Sequence, residues 1–143
     1  MGQWLETNRG AVHPWEVDIF GHMNIRFYIS AFSDGAWHVV NAMGMSPSYM
    51  REKRHGVATV ETNLKYLREL RAGDIWHIRG GLLHLGNSSF RLVQRMYNSE
   101  TGLLSATYHA IAIHFDLERR KGSPLPAEFR ARAAALTVTE DGA

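Results

Sequence analysis

The chain has 143 residues, 45% hydrophobic and 21% charged, a balance that suits one globular domain with a real core. It holds no cysteine, which excludes disulfides and thiolate metal sites and fits a reducing, cytoplasmic setting. A net charge of only +2, with acids spread among the 16 basic residues, argues against a nucleic-acid footprint.

No apolar stretch approaches the ~20 residues that span a bilayer, so no membrane partner is expected. Met1 to Glu6 has neither the basic start nor the apolar run of a signal peptide. No repeat, linker or low-complexity segment divides the chain, so residues 1–143 read as one domain.

Ala11 to Glu16 reads as a short strand, which Pro14 confines to an edge or an end. Apolar residues then recur at helical spacing: Ile25, Ile29, Phe32, Ala36, Val39, Val40 and Met43 predict a helix over 25–43. Asn24 is its natural N-cap and Gly44 its stop, with Pro47 beyond. The period changes to two in Val57 to Leu67, where Ala58, Val60, Thr62, Leu64 and Tyr66 alternate with Thr59, Glu61, Asn63 and Lys65. Arg71-Ala72-Gly73-Asp74 is a turn. Ile75 to Leu85 is the next strand, with a kink or bulge expected at Gly80-Gly81. Phe90 to Tyr97 and Leu103 to Phe115 complete the strands, and Ala127 to Leu136 is helical before a frayed end. The sum is an α+β chain: a strongly twisted meander of four long antiparallel strands, with one long helix as its cover. One helix leaves much of such a sheet bare, so oligomerisation is expected.

The run Asp18-Ile19-Phe20-Gly21-His22-Met23-Asn24 carries the chemistry. A carboxylate beside a helix N-terminus suits attack on a carbonyl, because the helix end offers backbone N–H donors to the oxyanion while the acid serves as base or nucleophile. Ile25 stands in the first helical turn, where amides have no intrahelical acceptor. Gly21 permits the tight turn, Asn24 is most economically the cap, and His22 reads more readily as a loop shaper than as a catalyst. The eight histidines are scattered with no i, i+4 pair, which argues against a metal. Ser33, Asp34 and His38 do not make a triad; Asp34 and His38 read as a local side-chain pair, and no Gly-x-Ser-x-Gly elbow is present.

The pattern Asp-x-x-Gly-His-x-Asn before an aromatic-rich helix resembles the hotdog-fold acyl-CoA thioesterases of the 4-hydroxybenzoyl-CoA thioesterase-like group. Tyr66 to Asp74, ending in Gly-Asp, matches the family's strand-to-turn segment, and Ser88-Ser89-Phe90 matches its entry into the third long strand. The resemblance implies a long central helix wrapped by a curved antiparallel sheet of about five strands. It implies Asp18 as the catalytic carboxylate, the Ile25 amide as oxyanion donor, and Gly21, His22 and Asn24 as the supporting loop. Phe20, Met23 and Tyr28 are candidates for an acyl pocket, as are Phe27 and Trp37, though all are equally plausible core. Their bulk favours a short or compact acyl group, a betaine-like unit among the options. Asn63 is a candidate for reaching a neighbour's acyl pocket, and Ser88, Ser89 and Arg91 for holding CoA, although the turn here is uncharged where the family often carries basic residues. The implied partners are an acyl-CoA substrate and a second copy of the chain, as homodimer or homotetramer. No cofactor is implied beyond the CoA of the substrate. Hotdog folds also host enoyl-CoA hydratases, but the spacing of Asp18 and His22 and the missing Asn-Pro disfavour that chemistry.

Overall fold

The computed structural model describes residues 2–140. In chain order these form β1 (Leu5–Ala11), α1 (Ile25–Met43), α2 (Pro47–Lys53), β2 (His55–Tyr66), β3 (Ile75–Leu85), β4 (Ser89–Asn98), β5 (Leu104–Asp116), the short β6 (Lys121–Gly122) and α3 (Ala127–Ala133). Single 3₁₀ turns lie at Pro14–Glu16 and Ala134–Leu136. The long helix lies in a curled antiparallel sheet, the architecture the resemblance implies.

Strand order departs from a meander. The sheet runs β1-β3-β4-β5-β2, with β6 beside β5, so β2 pairs with β5 rather than with its successor β3. The helix explains this: α1 leads from β1 to β2 across the concave face, so those two strands end at opposite edges. Alternation shows which face of a strand is buried but not which strand lies beside it.

α1 spans the predicted residues. The Asn24 side chain accepts the Arg26 N–H, and Gly44, at φ 120°, closes the helix by returning its N–H to Val40 and Asn41. The apolar stripe splits in two. Phe32, Val39, Val40 and Met43 are buried, whereas Ile25, Ile29 and Trp37 are about half exposed and form a second stripe toward the β2 side. On the buried side Gln94, fully enclosed on the central strand β4, donates through Nε2 to the Phe32 carbonyl at 2.7 Å and accepts the Thr7 hydroxyl at 2.8 Å. Gly35 is needed where the helix crosses this amide, because a β-carbon there would overlap the Gln94 side-chain oxygen.

Several boundaries shift. The expected strand over Ala11 to Glu16 is instead the end of β1 followed by a 3₁₀ turn that begins at Pro14. β1 itself lies upstream, in a polar segment whose pairing with β3 supplies the order that its own sequence does not announce. α2 has a readable start, Ser46 capping Tyr49 with Pro47 in the first turn, where the same proline reads in sequence only as a stop. The register break expected at Gly80-Gly81 comes slightly further along β3. Both glycines keep regular register with Gln94 and Val93, and the irregularity falls between Leu82 and His84. They serve close packing instead: a β-carbon at Gly81 would press on Leu136 and Val138. In β2 a bulge between Thr59 and Glu61 breaks the alternation, leaving Val60 exposed while Leu64 packs inward. The C-terminal segment is ordered rather than frayed as far as it is described. Thr137 bridges Leu82 in parallel, Val138 is buried, and the Glu140 carboxylate meets His109 at 2.6 Å.

At the end of the sheet remote from Asp18, two of the histidines come together. His114 is buried, stacks on His55 at 4.8 Å, accepts the Tyr49 hydroxyl at Nε2 and donates from Nδ1 to the Ser123 carbonyl. Burial holds its pKa below the ordinary value of 6.5, reinforced by His55 and opposed by the Ser123 bond. Asp34 and His38, by contrast, form no ion pair among the described residues.

Two predictions follow from this packing. Gly35→Ala should lower unfolding stability by about 1–3 kcal/mol in urea titrations, the usual cost of overpacking. The His114 imidazole is neutral in the fold, so its stabilisation is present above pH ~6.5 and lost as pH falls below it. The melting temperature should therefore drop between pH 7.5 and 5. The drop should be shallower in His114→Gln, which keeps an acceptor for Tyr49 but cannot charge.

Candidate active site

Residues 17–24 form a small closed hairpin. Val17 bridges Met23, the Asp18 N–H donates to the His22 carbonyl at 3.0 Å, and the Gly21 N–H closes the turn onto the Asp18 carbonyl at 2.9 Å. Gly21 sits at φ 81°, a left-handed conformation that favours glycine. The hairpin is stitched to the segment between β2 and β3: Met23 N–H donates to the Leu70 carbonyl at 2.7 Å, and His22 bridges Arg71. Leu70 is fully buried beneath it. These bonds fix the acid and the start of α1 as one unit.

The Asp18 carboxylate is half-buried, and its two oxygens are in different situations. Oδ1 accepts the Phe20 N–H at 2.9 Å, which ties it into the turn, whereas among the described residues Oδ2 has only the Asn24 Nδ2 at 3.5 Å. Asn24 therefore does two jobs with one side chain: its oxygen caps Arg26 at 3.1 Å while its nitrogen faces the acid. Because the cap bonds Arg26, the Ile25 N–H has no acceptor among the described residues. A free amide at a 19-residue helix N-terminus and a carboxylate oxygen with spare lone pairs thus lie on either side of one asparagine.

A cleft of about 320 Å³ opens at the Ile25 end, lined by His22, Met23, Ile25, Tyr28, Tyr66, Leu67, Arg68 and Glu69; Asp18 and Asn24 stand behind that lining. Met23 and Tyr28 belong to it as expected and are also core. Burial pushes the Tyr28 phenol up to about 12, so it remains protonated. His22 stands 3.1 Å from the Glu69 carboxylate through Nε2, a contact across the cleft mouth. Tyr66, Leu67, Arg68 and Glu69 escape a reading by residue chemistry. Their signal is the exposed apolar pair Tyr66-Leu67 at a strand end, immediately followed by charge.

The remaining candidates lie elsewhere. Phe20 is three-quarters exposed at the tip of the turn and does not line the cleft. Asn63 pairs with His109 in register and, with Glu61 and Arg91, lines a shallow depression of about 70 Å³ away from the cleft. The bulge at Thr59 and Glu61 sets which side of β2 it occupies. Ser88 and Ser89 lie at the β3–β4 turn; Ser89 pairs with Ile113, seven residues along β5 from Ala106, which pairs with the cleft residue Tyr66. At about 3.3 Å per residue the two ends of the sheet are roughly 23 Å apart within one chain.

Residues 12–133 match the family model of the Thioesterase-like superfamily. The chain belongs to that superfamily and to its hotdog-fold acyl-CoA thioesterases. It is a thioester hydrolase. It is 26% identical over 136 residues to a betainyl-CoA thioesterase of Pseudomonas aeruginosa, covering 95% of this chain and 86% of that one. A bifunctional L-carnitine dehydrogenase/betainyl-CoA thioesterase of Rhizobium meliloti is 28% identical over 116 residues, which cover 81% of this chain but only 23% of that protein. Among solved structures, a Staphylococcus aureus protein in complex with CoA superposes with TM-score 0.87 at 20% identity, covering 97% of this chain and 89% of that one. A 1,4-dihydroxy-2-naphthoyl-CoA thioesterase from Synechocystis gives 0.78 at 14% identity, with 92% and 96% covered. At such identities the structural likeness speaks for the fold.

Removing the Asn24 side chain tests the shared cap. Asn24→Ala should cost about 1 kcal/mol of stability, measured by urea unfolding. It should also lower kcat for thioester hydrolysis by more than that stability loss explains, since the acid loses its neighbour.

Proposed function

We propose that this thioesterase hydrolyses a compact acyl-CoA, with betainyl-CoA, the substrate named for its relatives, as the first candidate, at a site that two copies complete. What carries this is the pairing of a free Ile25 amide with the loosely held Oδ2 of Asp18 at one helix end. The thioester carbonyl oxygen would lie against the Ile25 N–H, where the amide and the helix dipole stabilise the negative charge that develops. Asp18 would either attack the carbonyl carbon or take a proton from attacking water. By the first route the C–S bond breaks as a mixed anhydride forms, the thiolate leaves as CoA, and water cleaves the anhydride to restore Asp18 and release the acid. By the second, water supplies the oxygen directly. The cleft's volume supports a compact acyl group, since Tyr28 and Tyr66 crowd its inner wall.

The partner is inferred from β2 and α1. β2 is a 12-residue edge strand, bonded to β5 on one side only, and beside it runs the exposed stripe of Ile25, Ile29 and Trp37. A bare edge next to bare apolar surface favours pairing with a second copy. Antiparallel β2–β2 pairing would bring the partner subunit's Ser88 and Ser89 toward the end that holds Asp18, closing the roughly 23 Å that separates them within one chain. Those hydroxyls would then reach the CoA moiety, and Arg91 would supply charge.

Asp18→Asn should fold normally and lose about 10²–10⁴-fold in turnover, read by thiol release over a panel of acyl-CoAs; a fully active Asn variant would sink the mechanism. Wild type should sediment as a dimer or larger, whereas Trp37→Glu should shift toward monomer and lose activity in parallel. A monomeric variant with full turnover would remove the second copy from the site.

A further inference from the structure

We propose that Tyr66, Tyr28 and Glu69 form a recognition corner for a quaternary ammonium on the acyl group, and so decide which compact acyl-CoA this enzyme prefers. The inference rests on the thioesterase reading above and assigns the side chains that read the substrate's charge.

A quaternary ammonium has no N–H to donate and no lone pair to offer. It can be recognised only by aromatic faces, which attract cations through their quadrupole, and by carboxylates at Coulomb range. The cleft supplies both. The Tyr28 and Tyr66 rings meet edge to face, 5.2 Å apart at 77°, so buried Tyr28 backs the cleft and sets the tilt of the Tyr66 ring, whose face is the open one. Tyr28 is enclosed in the core, while Tyr66 keeps 44% of its surface open. The Glu69 carboxylate lies on the same cleft, held by His22 but otherwise open to solvent. Met23, Ile25 and Leu67 complete an apolar lining suited to methyl groups. The one guanidinium on the lining, that of Arg68, donates to the Leu104 carbonyl at 3.2 Å.

Position supports the assignment as well as composition. In a betainyl thioester the nitrogen lies two bonds from the carbonyl carbon, so whatever reads its charge must sit beside the oxyanion donor. Tyr28 is three residues beyond Ile25, on the same helix face and within about one 5.4 Å turn of that amide. A longer acyl chain would carry its far end past this corner, and a neutral one would gain nothing from Glu69.

The decisive comparison uses two thioesters of one shape: betainyl-CoA and its neutral carbon isostere, 3,3-dimethylbutanoyl-CoA. With each rate divided by that thioester's own rate of hydroxide hydrolysis, because the ammonium activates the carbonyl inductively, wild type should favour the charged substrate in kcat/KM by roughly three- to thirtyfold, the range of a cation–π contact alone, or more with Glu69. Tyr66→Leu and Glu69→Gln should each reduce that ratio severalfold, and Tyr66→Phe, which keeps the ring, should preserve it. Equal turnover of the two thioesters by wild type, or a loss in Tyr66→Leu shared equally by both, would overturn the proposal. Calorimetric binding of both thioesters to Asp18→Asn separates recognition from hydrolysis. If no acyl-CoA in the panel releases thiol, the thioesterase reading fails, yet tighter binding of betainyl-CoA than of the isostere would still support the corner. Equal binding would refute it.

Discussion

The position of the whole site depends on how deeply α1 sits in the sheet, and a single buried amide governs that depth. Gln94 lies on the central strand with no exposed surface and bonds both the Phe32 carbonyl of the helix and the Thr7 hydroxyl of β1. A buried amide left unpaired would cost more than its bonds return when made, so helix, central strand and edge strand are held in one register. Asn8 adds a second hold, donating to the Ala31 carbonyl one residue earlier. Gly35 allows the approach, and with the helix axis fixed, its N-terminus has one place to be.

That placement is what makes the cap a candidate for the proposed chemistry. Asn24 satisfies the Arg26 amide and faces Asp18, which leaves the Ile25 amide unengaged beside a carboxylate oxygen. A helix end normally loses such donors to water or to a second cap. Here they lie on the wall of a cleft whose floor is the core residue Tyr28 and whose rim is the charged segment after β2. The bonds from Met23 to Leu70 and from His22 to Glu69 tie the loop to that rim. The proposed hydrolysis would gain from this, because donors that are already oriented need no rearrangement as charge develops.

The edge strand carries the opposite logic. β2 is long, bulged at Thr59 and Glu61, and borders the open stripe of α1. A monomer with such a border would have an unprotected edge and an apolar flank together, and association relieves both. Beyond the bulge the register is regular, so Asn63 and Lys65 alternate with the inward Leu64 and lie on the opposite side of β2. At the far end, the stacked His55 and His114 belong to the scaffold and not to the chemistry.

Local rules were enough for much of this. The period of α1, its cap at Asn24 and stop at Gly44, the four long strands, and the acid and amide before the helix are all legible in the sequence, because each depends on neighbours within a few residues. Three things were decided only by the tertiary structure. β2 lies beside β5 because α1 must cross the concave face, and no alternation encodes a partner. β1 is ordered by its pairing with β3 and not by its polar residues, which is why the sequence suggested a strand that starts six residues too late. The cleft itself joins Ile25 and Tyr28 on a helix to Tyr66 and Glu69 some forty residues on, a meeting that the Leu70 bond makes and that spacing along the chain does not record.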